Sequence, residues 1–268
     1  MDQGSLTVEP KDGLPCLSIP SYTLNRYAIY RSIFSEWTGW IKLKADWLGY
    51  VDLTAGPGFS TVRNSEESDQ QVAATPIIAL NTEPRFTNLI FVERKSESCN
   101  VLEQRLRTHH TERNCRFLVG DANEIIKPVL KSLEGHCLVC VDPFRPTDIA
   151  WKTIEVILKE DFCDLLGAYP APLTQRVIGR RSGRLYIKGL HQHLPPGFQL
   201  NVKRGALRTS AEFCREKIKE RFNRRSIHIM VRKVPYPMLF CTKDFKLADK
   251  VYQRLKGERK NDEIVYQE

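Results

Sequence analysis

The chain has 268 residues, of which 41% are hydrophobic, so it is long enough to bury the core of one large domain or two small ones. No stretch approaches the roughly 18 consecutive apolar residues of a membrane span, and the polar N-terminus lacks the pattern of a secretory signal. We therefore predict no membrane association and expect a cytoplasmic protein.

The net charge of +9 is distributed unevenly along the chain. Residues 176–233 contain sixteen Lys and Arg against three Asp and Glu, a local charge of +13, so the remainder carries −4. Such a basic segment indicates a polyanionic partner, and we predict nucleic acid, DNA or RNA. A solvated surface rich in Lys and Arg would have the same composition, and an acidic protein face would also suit it.

The first predicted elements follow residues 1–21, which we expect to be a loose lead-in. Aromatic residues then recur at three- and four-residue spacing, which predicts an amphipathic helix from 22 to about 45. A buried strand is predicted at 48–53, a polar loop at 60–71 and a short helix at 73–80.

Strands and helices alternate after residue 88. We predict strands at 88–93, 115–121, 137–143 and 163–170, and helices at 96–110, 123–133 and 148–159. This alternation indicates βαβ units and a parallel sheet. Two later strands, at 226–234 and 237–244, are close enough in sequence to form an antiparallel hairpin, and a last helix follows at 245–256.

The predicted fold class is therefore α/β, a Rossmann-like doubly wound sheet with helices on both faces. The sheet is mostly parallel and ends in the antiparallel hairpin. One domain spans 22–268, with a basic insertion at about 171–225. The insertion contains a basic helix near 211–225, for which Cys214, Ile218 and Phe222 would form the apolar stripe.

Carboxylates or glycines follow four successive strands. They are Asp52 with the turn Ala55–Gly58, then Glu93, Asp121 and Asp142. Ligands of open α/β sheets bind outside the carboxyl ends of the strands, so this edge is the candidate site. The alternative is that each acid only caps the helix after it.

These residues suit a nucleoside. Glycines at 56 and 58 let backbone approach a ligand. Glu93 can accept hydrogen bonds from ribose hydroxyls, and Asp121 can accept from an adenine amino group. The glycine pattern is not G-x-G-x-x-G, and an acidic pocket favours a cationic sulfonium nucleoside over a dinucleotide.

The ordered motifs YVDLTAGPG (50–58), FVERK (91–95), VGDANEII (119–126) and CLVCVDPFRP (137–146) resemble the class I S-adenosylmethionine-dependent methyltransferase scaffold. More narrowly, they resemble the bacterial three-Cys-motif partner proteins, over about 22–170 and 226–256. The resemblance implies S-adenosylmethionine as the cofactor. It implies that the cofactor lies against Asp52, Ala55, Gly56, Pro57, Gly58, Glu93, Asp121 and Ala122. It also implies a partner with a three-cysteine motif, which looks like an iron–sulfur radical enzyme.

We therefore predict a methyltransferase acting on or with nucleic acid. Asp142, Pro143 and Phe144 resemble the D-P-P-Y type of motif that grips the exocyclic amine of an extruded base, and they are the candidate catalytic residues. Phosphate contacts are expected from Arg145, Arg180, Arg181, Arg184, Lys203, Arg204, Arg221, Arg224 and Arg225.

Two other functions stay open. The first is a non-catalytic, nucleic-acid-binding accessory subunit of the iron–sulfur partner. The second is a nuclease whose four strand-end acids gather a divalent metal. We predict no resident metal site, because the eight cysteines are scattered and the pair Cys137 and Cys140 lies within a strand. His191 and His193 form an H-x-H with no evident third ligand.

Overall fold

A computed structural model describes residues 8–10, 12–63, 70–109, 114–143, 148–168, 192–193, 195–196, 206–231, 238–258 and 263–267. The chain divides into two compact units. The first contains Met1–Glu124 and Leu133–Cys140, and the second contains Ile125–Ser132 and Val141–Glu268. None of the helices within the described ranges has the length and apolar character needed to cross a membrane.

The elements of the first unit follow the predicted alternation. In chain order they are β1 (Val8–Pro10), β2 (Leu17–Ile19), α1 (Thr23–Lys42), β3 (Leu48–Asp52), β4 (Phe59–Val62), β5 (Gln70–Ala73), α2 (Thr75–Leu80), β6 (Asn88–Glu93), α3 (Ser96–His109), β7 (Cys115–Val119), the start of α4 (Ala122–Lys131) and β8 (His136–Val141). The predicted helices and strands of this part are confirmed, with ends shifted by a few residues.

Four strands of the first unit form a parallel array in the order β8-β3-β6-β7. β3 is first in the chain among them but lies in the interior: the chain adds β6 and β7 on one side of β3 and then crosses back to place β8 on its other side. This reversal of strand order, next to β3, is where doubly wound sheets bind ligands. The candidate turn after Asp52 therefore lies at the position that the topology favours.

Aromatic side chains of α1 and the sheet form the core of the first unit. Phe34, Trp37 and Tyr50 are fully buried. Their rings surround Phe86, with centroid distances of 5.9, 5.6 and 5.0 Å. The aromatic spacing that predicted α1 thus corresponds to its buried face, and this packing holds α1 against β3.

A second, smaller sheet was not predicted. Its strand order is β1-β5-β4-β2, with β2 parallel to β4 and the other pairs antiparallel. Two of its strands lie in the segment expected to be a loose lead-in, and the other two adjoin or lie within the predicted polar loop. Strands of three or four residues are too short to show a period-2 pattern, which explains the difference.

The second unit contains most of α4, then α5 (Trp151–Lys159), β9 (Cys163–Ala168), α6 (Ala206–Phe222), β10 (Arg225–Val231), β11 (Met238–Thr242), α7 (Phe245–Glu258) and β12 (Glu263–Gln267). Its strands pair antiparallel in the order β9-β11-β10-β12. The predicted C-terminal hairpin is confirmed by the pairing of Ile227 with Phe240, whereas β12 was not predicted.

The predicted α/β class is confirmed, with a parallel array, accompanying helices and a C-terminal antiparallel hairpin. Of the predicted basic insertion, residues 171–191, 194 and 197–205 lie outside the described residues. The helix predicted at 211–225 begins earlier, at Ala206. Its expected apolar stripe of Cys214, Ile218 and Phe222 is buried.

Candidate functional site

The carboxyl end of β3 is fixed by Asp52, whose side chain is fully buried. Its Oδ2 accepts a hydrogen bond from the Tyr50 hydroxyl at 3.0 Å, and its Oδ1 accepts one from the Thr54 N–H at 3.0 Å. Ala55 N–H donates to the carbonyl of Val92 on the neighbouring strand. Asp52 therefore shapes the exit from the strand, and any contribution to ligand binding passes through the turn that it supports.

The turn requires glycine at two positions. Gly56 has φ +62° and Gly58 has φ +91°, in the left-handed region that disfavours side chains. A Cβ on Gly58 would lie 2.9 Å from Cδ1 of Leu102, and one on Gly56 would lie 3.1 Å from Cδ1 of Leu17. The glycines thus serve backbone conformation and close packing within the chain, in addition to any ligand.

Glu93, at the end of β6, joins this turn directly. Its Oε2 accepts a hydrogen bond from Gly56 N–H at 2.9 Å, and its Oε1 accepts one from Lys95 N–H at 2.9 Å. The side chain is half-buried. Two of the residues predicted to contact one ligand therefore contact each other.

Asp121 follows β7 at the same edge of the array. The carbonyl of Glu93 accepts the N–H of Gly120, which places Asp121 one residue from that bond. Asp121 Oδ1 accepts hydrogen bonds from the N–H and the side-chain amide of Asn123, at 2.8 and 2.9 Å. Asp121 thus caps the start of α4, as the alternative interpretation of the strand-end acids expected. Ala122 is buried in the first turn of that helix.

The candidate catalytic residues come directly after β8 in the chain and belong to the second unit. Asp142 is half-buried and Pro143 is buried. Phe144 and Arg145 lie outside the described residues, so their predicted roles stay predictions.

The residues predicted to contact phosphates divide into three groups. The first group lies outside the described residues and consists of Arg145, Arg180, Arg181, Arg184, Lys203 and Arg204. Arg221 and Arg225 are partly exposed and paired with carboxylates, Arg221 with Glu155 and Arg225 with Asp249 at 2.8 Å. Arg225 also lies over the ring of Phe245, with 5.3 Å between the guanidinium carbon and the centroid.

Arg224 forms the third group, because it is only 2% exposed. Its Nε donates to the carbonyl of Leu158 at 3.0 Å, its Nη2 to that of Glu160 at 2.6 Å, and its Nη1 to that of Cys163 at 2.5 Å. These carbonyls belong to the end of α5 and the start of β9. The positive charge of Arg224 therefore caps the C-terminus of α5. The buried guanidinium is not available to a phosphate at the surface.

Sequence reasoning missed Arg105, which is 3% exposed on α3. Its Nη1 donates to the carbonyl of Pro57, within the glycine turn, at 2.5 Å. The sequence did contain a signal for it. Arg105 lies three residues after Leu102 and one before Leu106, so it falls on the apolar face of this amphipathic helix, where both leucines are buried. An arginine on an apolar helix face is a candidate for a buried, fully hydrogen-bonded group.

The metal alternatives gain no support from the described ranges. They contain no group of three or more His, Cys, Asp or Glu side chains that could hold a metal ion. Cys137 and Cys140 are buried thiols that form no disulfide. His193 Nδ1 lies 2.6 Å from the carbonyl of Ile149, while His191 is outside the described residues.

Comparison with known proteins gives a similarity in fold. No family model and no curated protein matches the sequence. The crystal structure of the Legionella pneumophila protein LPL1258, of family DUF519, aligns over 90% of this chain and 95% of its own, with a TM-score of 0.55 and 13% identity. At that identity the similarity shows the fold alone, so membership of the three-Cys-motif partner family stays a prediction.

Two further solved structures are similar at a lower level. One is the methyltransferase domain of bacterial CtHen1-C, at TM-score 0.44 and 11% identity over 80% of this chain and 98% of that one. The other is an rRNA methylase from Streptococcus thermophilus, at TM-score 0.41 and 9% identity over 82% and 94%. These scores are too low to support any conclusion about function.

Proposed function

We propose that this protein is a methyltransferase that binds S-adenosylmethionine at the carboxyl ends of β3, β6 and β7 and acts on nucleic acid. The observation that carries the proposal is the hydrogen bond between Gly56 N–H and Glu93 Oε2. It joins a positive-φ glycine turn to a carboxylate beside the point where the strand order reverses. Ligands of doubly wound folds bind there.

The donors and acceptors at this edge fit the proposed cofactor. Each carboxylate oxygen can accept two hydrogen bonds, so Glu93 retains acceptor capacity beyond its two backbone N–H partners. Ribose hydroxyls would use that capacity, and Asp121 would face the adenine amino group. The cofactor would supply an electrophilic methyl group on a sulfonium, whose positive charge suits an acidic edge.

The nucleic-acid part of the proposal rests on charge and on a short motif. Sixteen Lys and Arg lie between residues 176 and 233, and phosphate contacts of this kind supply affinity that depends on salt. Asp142 would accept an N–H of the target amine, with Phe144 stacking on the base. A base read in this way must leave its helix or come from a single strand.

Calorimetric titration with S-adenosylhomocysteine tests cofactor binding. We expect micromolar binding to the wild-type protein, about −8 kcal/mol, and a loss of at least about tenfold in Glu93→Ala. Glu97→Ala is the matched control, because Glu97 is an exposed acid in the first turn of α3. Equal affinities for the wild type and Glu93→Ala would contradict the assignment of Glu93.

One observation favours the accessory function instead. Both oxygens of Glu93 already hold backbone N–H groups, so the carboxylate has a structural role without any ligand. An accessory protein could retain that role after losing cofactor binding, and would bind nucleic acid and the iron–sulfur partner. No heat with S-adenosylhomocysteine at several temperatures, together with salt-dependent binding of RNA or DNA by the same folded sample, would select this function.

A further inference from the structure

Arg105 ties the glycine turn to the N-terminal segment Asp12–Ile19. Its Nε and Nη2 donate to the two carboxylate oxygens of Asp12 at 2.7 and 2.9 Å, a bidentate ion pair. Its Nη1 donates both to the carbonyl of Pro15 at 3.0 Å and to that of Pro57 at 2.5 Å. One side chain therefore binds the backbone of the N-terminal segment and the backbone of the glycine turn.

The Arg105 guanidinium makes two further contacts with this N-terminal segment. Nη2 donates to the carbonyl of Leu14 at 3.1 Å and approaches Sγ of Cys16 at 3.4 Å. A buried arginine is stable only when its donors are satisfied, and here the N-terminal segment supplies most of the acceptors. Without that segment, the charge on α3 would be uncompensated.

Electrostatics at the pair agree with this geometry. Hydrogen bonding by Arg105 holds the pKa of Asp12 down to about 2, against the opposing effect of partial burial. Burial alone would lower the pKa of Arg105, but the hydrogen bond to Asp12, together with Cys16 and the charge of Asp12, outweighs burial and raises that pKa. Both groups are thus charged at neutral pH.

The same segment covers the turn at a second point. Leu17 lies so close to Gly56 that a Cβ on the glycine would come within 3.1 Å of its Cδ1. Immediately afterwards β2 pairs with β4, with Leu17 opposite Ser60 just beyond the turn. Arg105 fixes one end of the segment, and the β2–β4 ladder fixes the other.

We propose that Arg105 is a positioning residue for the cofactor turn, and that segment Asp12–Ile19 is a wall of the adenosyl-ligand site. This inference rests on the proposed function, because the ligand is the one named there. Neither Asp12 nor Arg105 need touch the ligand. They act by fixing the carbonyl of Pro57 and, through the turn, the Gly56 N–H that meets Glu93.

A positioning role has a reciprocal consequence. If the ordered segment raises affinity for the ligand, the ligand must stabilise the ordered segment by the same factor. The backbone amides of residue 14 and residues 16–19 should therefore exchange more slowly in the presence of ligand, residue 15 being a proline without an N–H. If Arg105 and Asp12 only stabilised the fold, replacing them would lower the melting temperature, but ligand would not slow exchange in the segment.

The test compares wild type, Asp12→Asn, Arg105→Lys and a control, Arg107→Lys. Arg107 lies on the same helix but makes an exposed i,i+4 pair with Glu103. Each protein is titrated with S-adenosylhomocysteine, and its hydrogen–deuterium exchange is followed with and without that ligand. Asp12→Asn keeps the buried arginine in place, which guards against a variant that fails to fold.

We expect S-adenosylhomocysteine to slow exchange at residues 14–19 in the wild type and the control. In Asp12→Asn and Arg105→Lys, exchange there and at 53–58 should be faster without ligand, and Kd should rise by at least about fivefold. If the wild type binds and both variants bind equally well, the inference is overturned while the proposed function stands. If the wild type itself gives no binding, the proposed function fails first and the inference fails with it.

Discussion

The N–H of Gly56 donates to Oε2 of Glu93 across 2.9 Å, joining residues that are 37 positions apart in the chain. This bond links the exits of two adjacent parallel strands, β3 and β6. Since Gly56 has a positive φ, the direction of its N–H depends on a backbone conformation that other residues adopt only at a cost. The geometry of the turn is therefore set by sequence before any ligand binds.

Gly58→Ala should destabilise the protein by about 1–3 kcal/mol, because it combines an unfavourable φ with overpacking. The new Cβ would lie 2.9 Å from Cδ1 of Leu102 and 3.4 Å from Cδ1 of Ile77. Urea unfolding at neutral pH measures the change. Gly257→Ala is the control, since a Cβ there meets no atom within 4 Å, and it should be neutral or stabilising by up to about 1 kcal/mol. Equal stability of the two variants would contradict the packing argument.

Arg224→Lys should reduce the free energy of unfolding by about 2–4 kcal/mol. A lysine ammonium lacks the planar fork that reaches the carbonyls of Leu158, Glu160 and Cys163 together, so some of them would lose their partner. Arg225→Lys, one residue along, changes a surface pair with Asp249 and should stay within about 0.5 kcal/mol of wild type. Thermal or urea unfolding of both variants distinguishes the buried cap from the exposed pair.

Acid should destabilise the second unit through His228, which is 4% exposed on β10. Burial, helped by the charge of Arg215, lowers the pKa of His228 to about 4 from an ordinary 6.5. The folded state therefore binds a proton less readily than the unfolded state. Stability from the neutral imidazole is complete above pH 6.5 and is lost as the pH falls towards 4, by about 3 kcal/mol.

His228→Gln should remove this dependence. Urea unfolding of both proteins across that pH range should show a steeper loss of stability in the wild type. If the free energies of unfolding of the two proteins fell in parallel as the pH is lowered, burial of the neutral imidazole would not be the cause of the acid sensitivity.

The basic segment should give nucleic-acid binding a strong salt dependence. Replacing Arg180, Arg181 and Arg184 together by Gln should reduce the slope of log K against log salt by about 2–3, if each contacts a phosphate. Binding of short RNA and DNA oligonucleotides at several salt concentrations measures it. Lys42→Gln is the control, because Lys42 lies on α1 and pairs with Asp46. If the triple variant keeps the wild-type slope, the segment does not contact phosphates, and an acidic protein face becomes the better partner.

The sequence predicted the parallel strands because their patterns are local. Leu48–Asp52 and Asn88–Glu93 are apolar runs that end in an acid, and each agrees with the structure within one residue. The sequence also placed Gly56 and Glu93 at the same edge, since parallel strands present their carboxyl ends together, but it did not predict the hydrogen bond between them.

What sequence could not show depends on long-range partners. The short strands β1 and β2 acquire their ladders from β5 and β4, which lie more than forty residues away in the chain. Arg224 looked like its neighbour Arg225 in a basic run, and only the carbonyls at the end of α5 distinguish the two. Arg105 likewise acquires its role from Asp12, 93 positions earlier.

The tie between Arg105 and Asp12 has a practical consequence for anyone shortening this chain. Residues 1–21 have the composition of a dispensable tail, and a truncation at residue 22 would retain every predicted cofactor-binding position. It would nevertheless remove the carboxylate that neutralises a buried guanidinium and uncover the edge of β4 that β2 pairs with. Such a shortened protein would differ from the full chain at the glycine turn itself, so a loss of ligand binding after trimming would say nothing about the residues that remain.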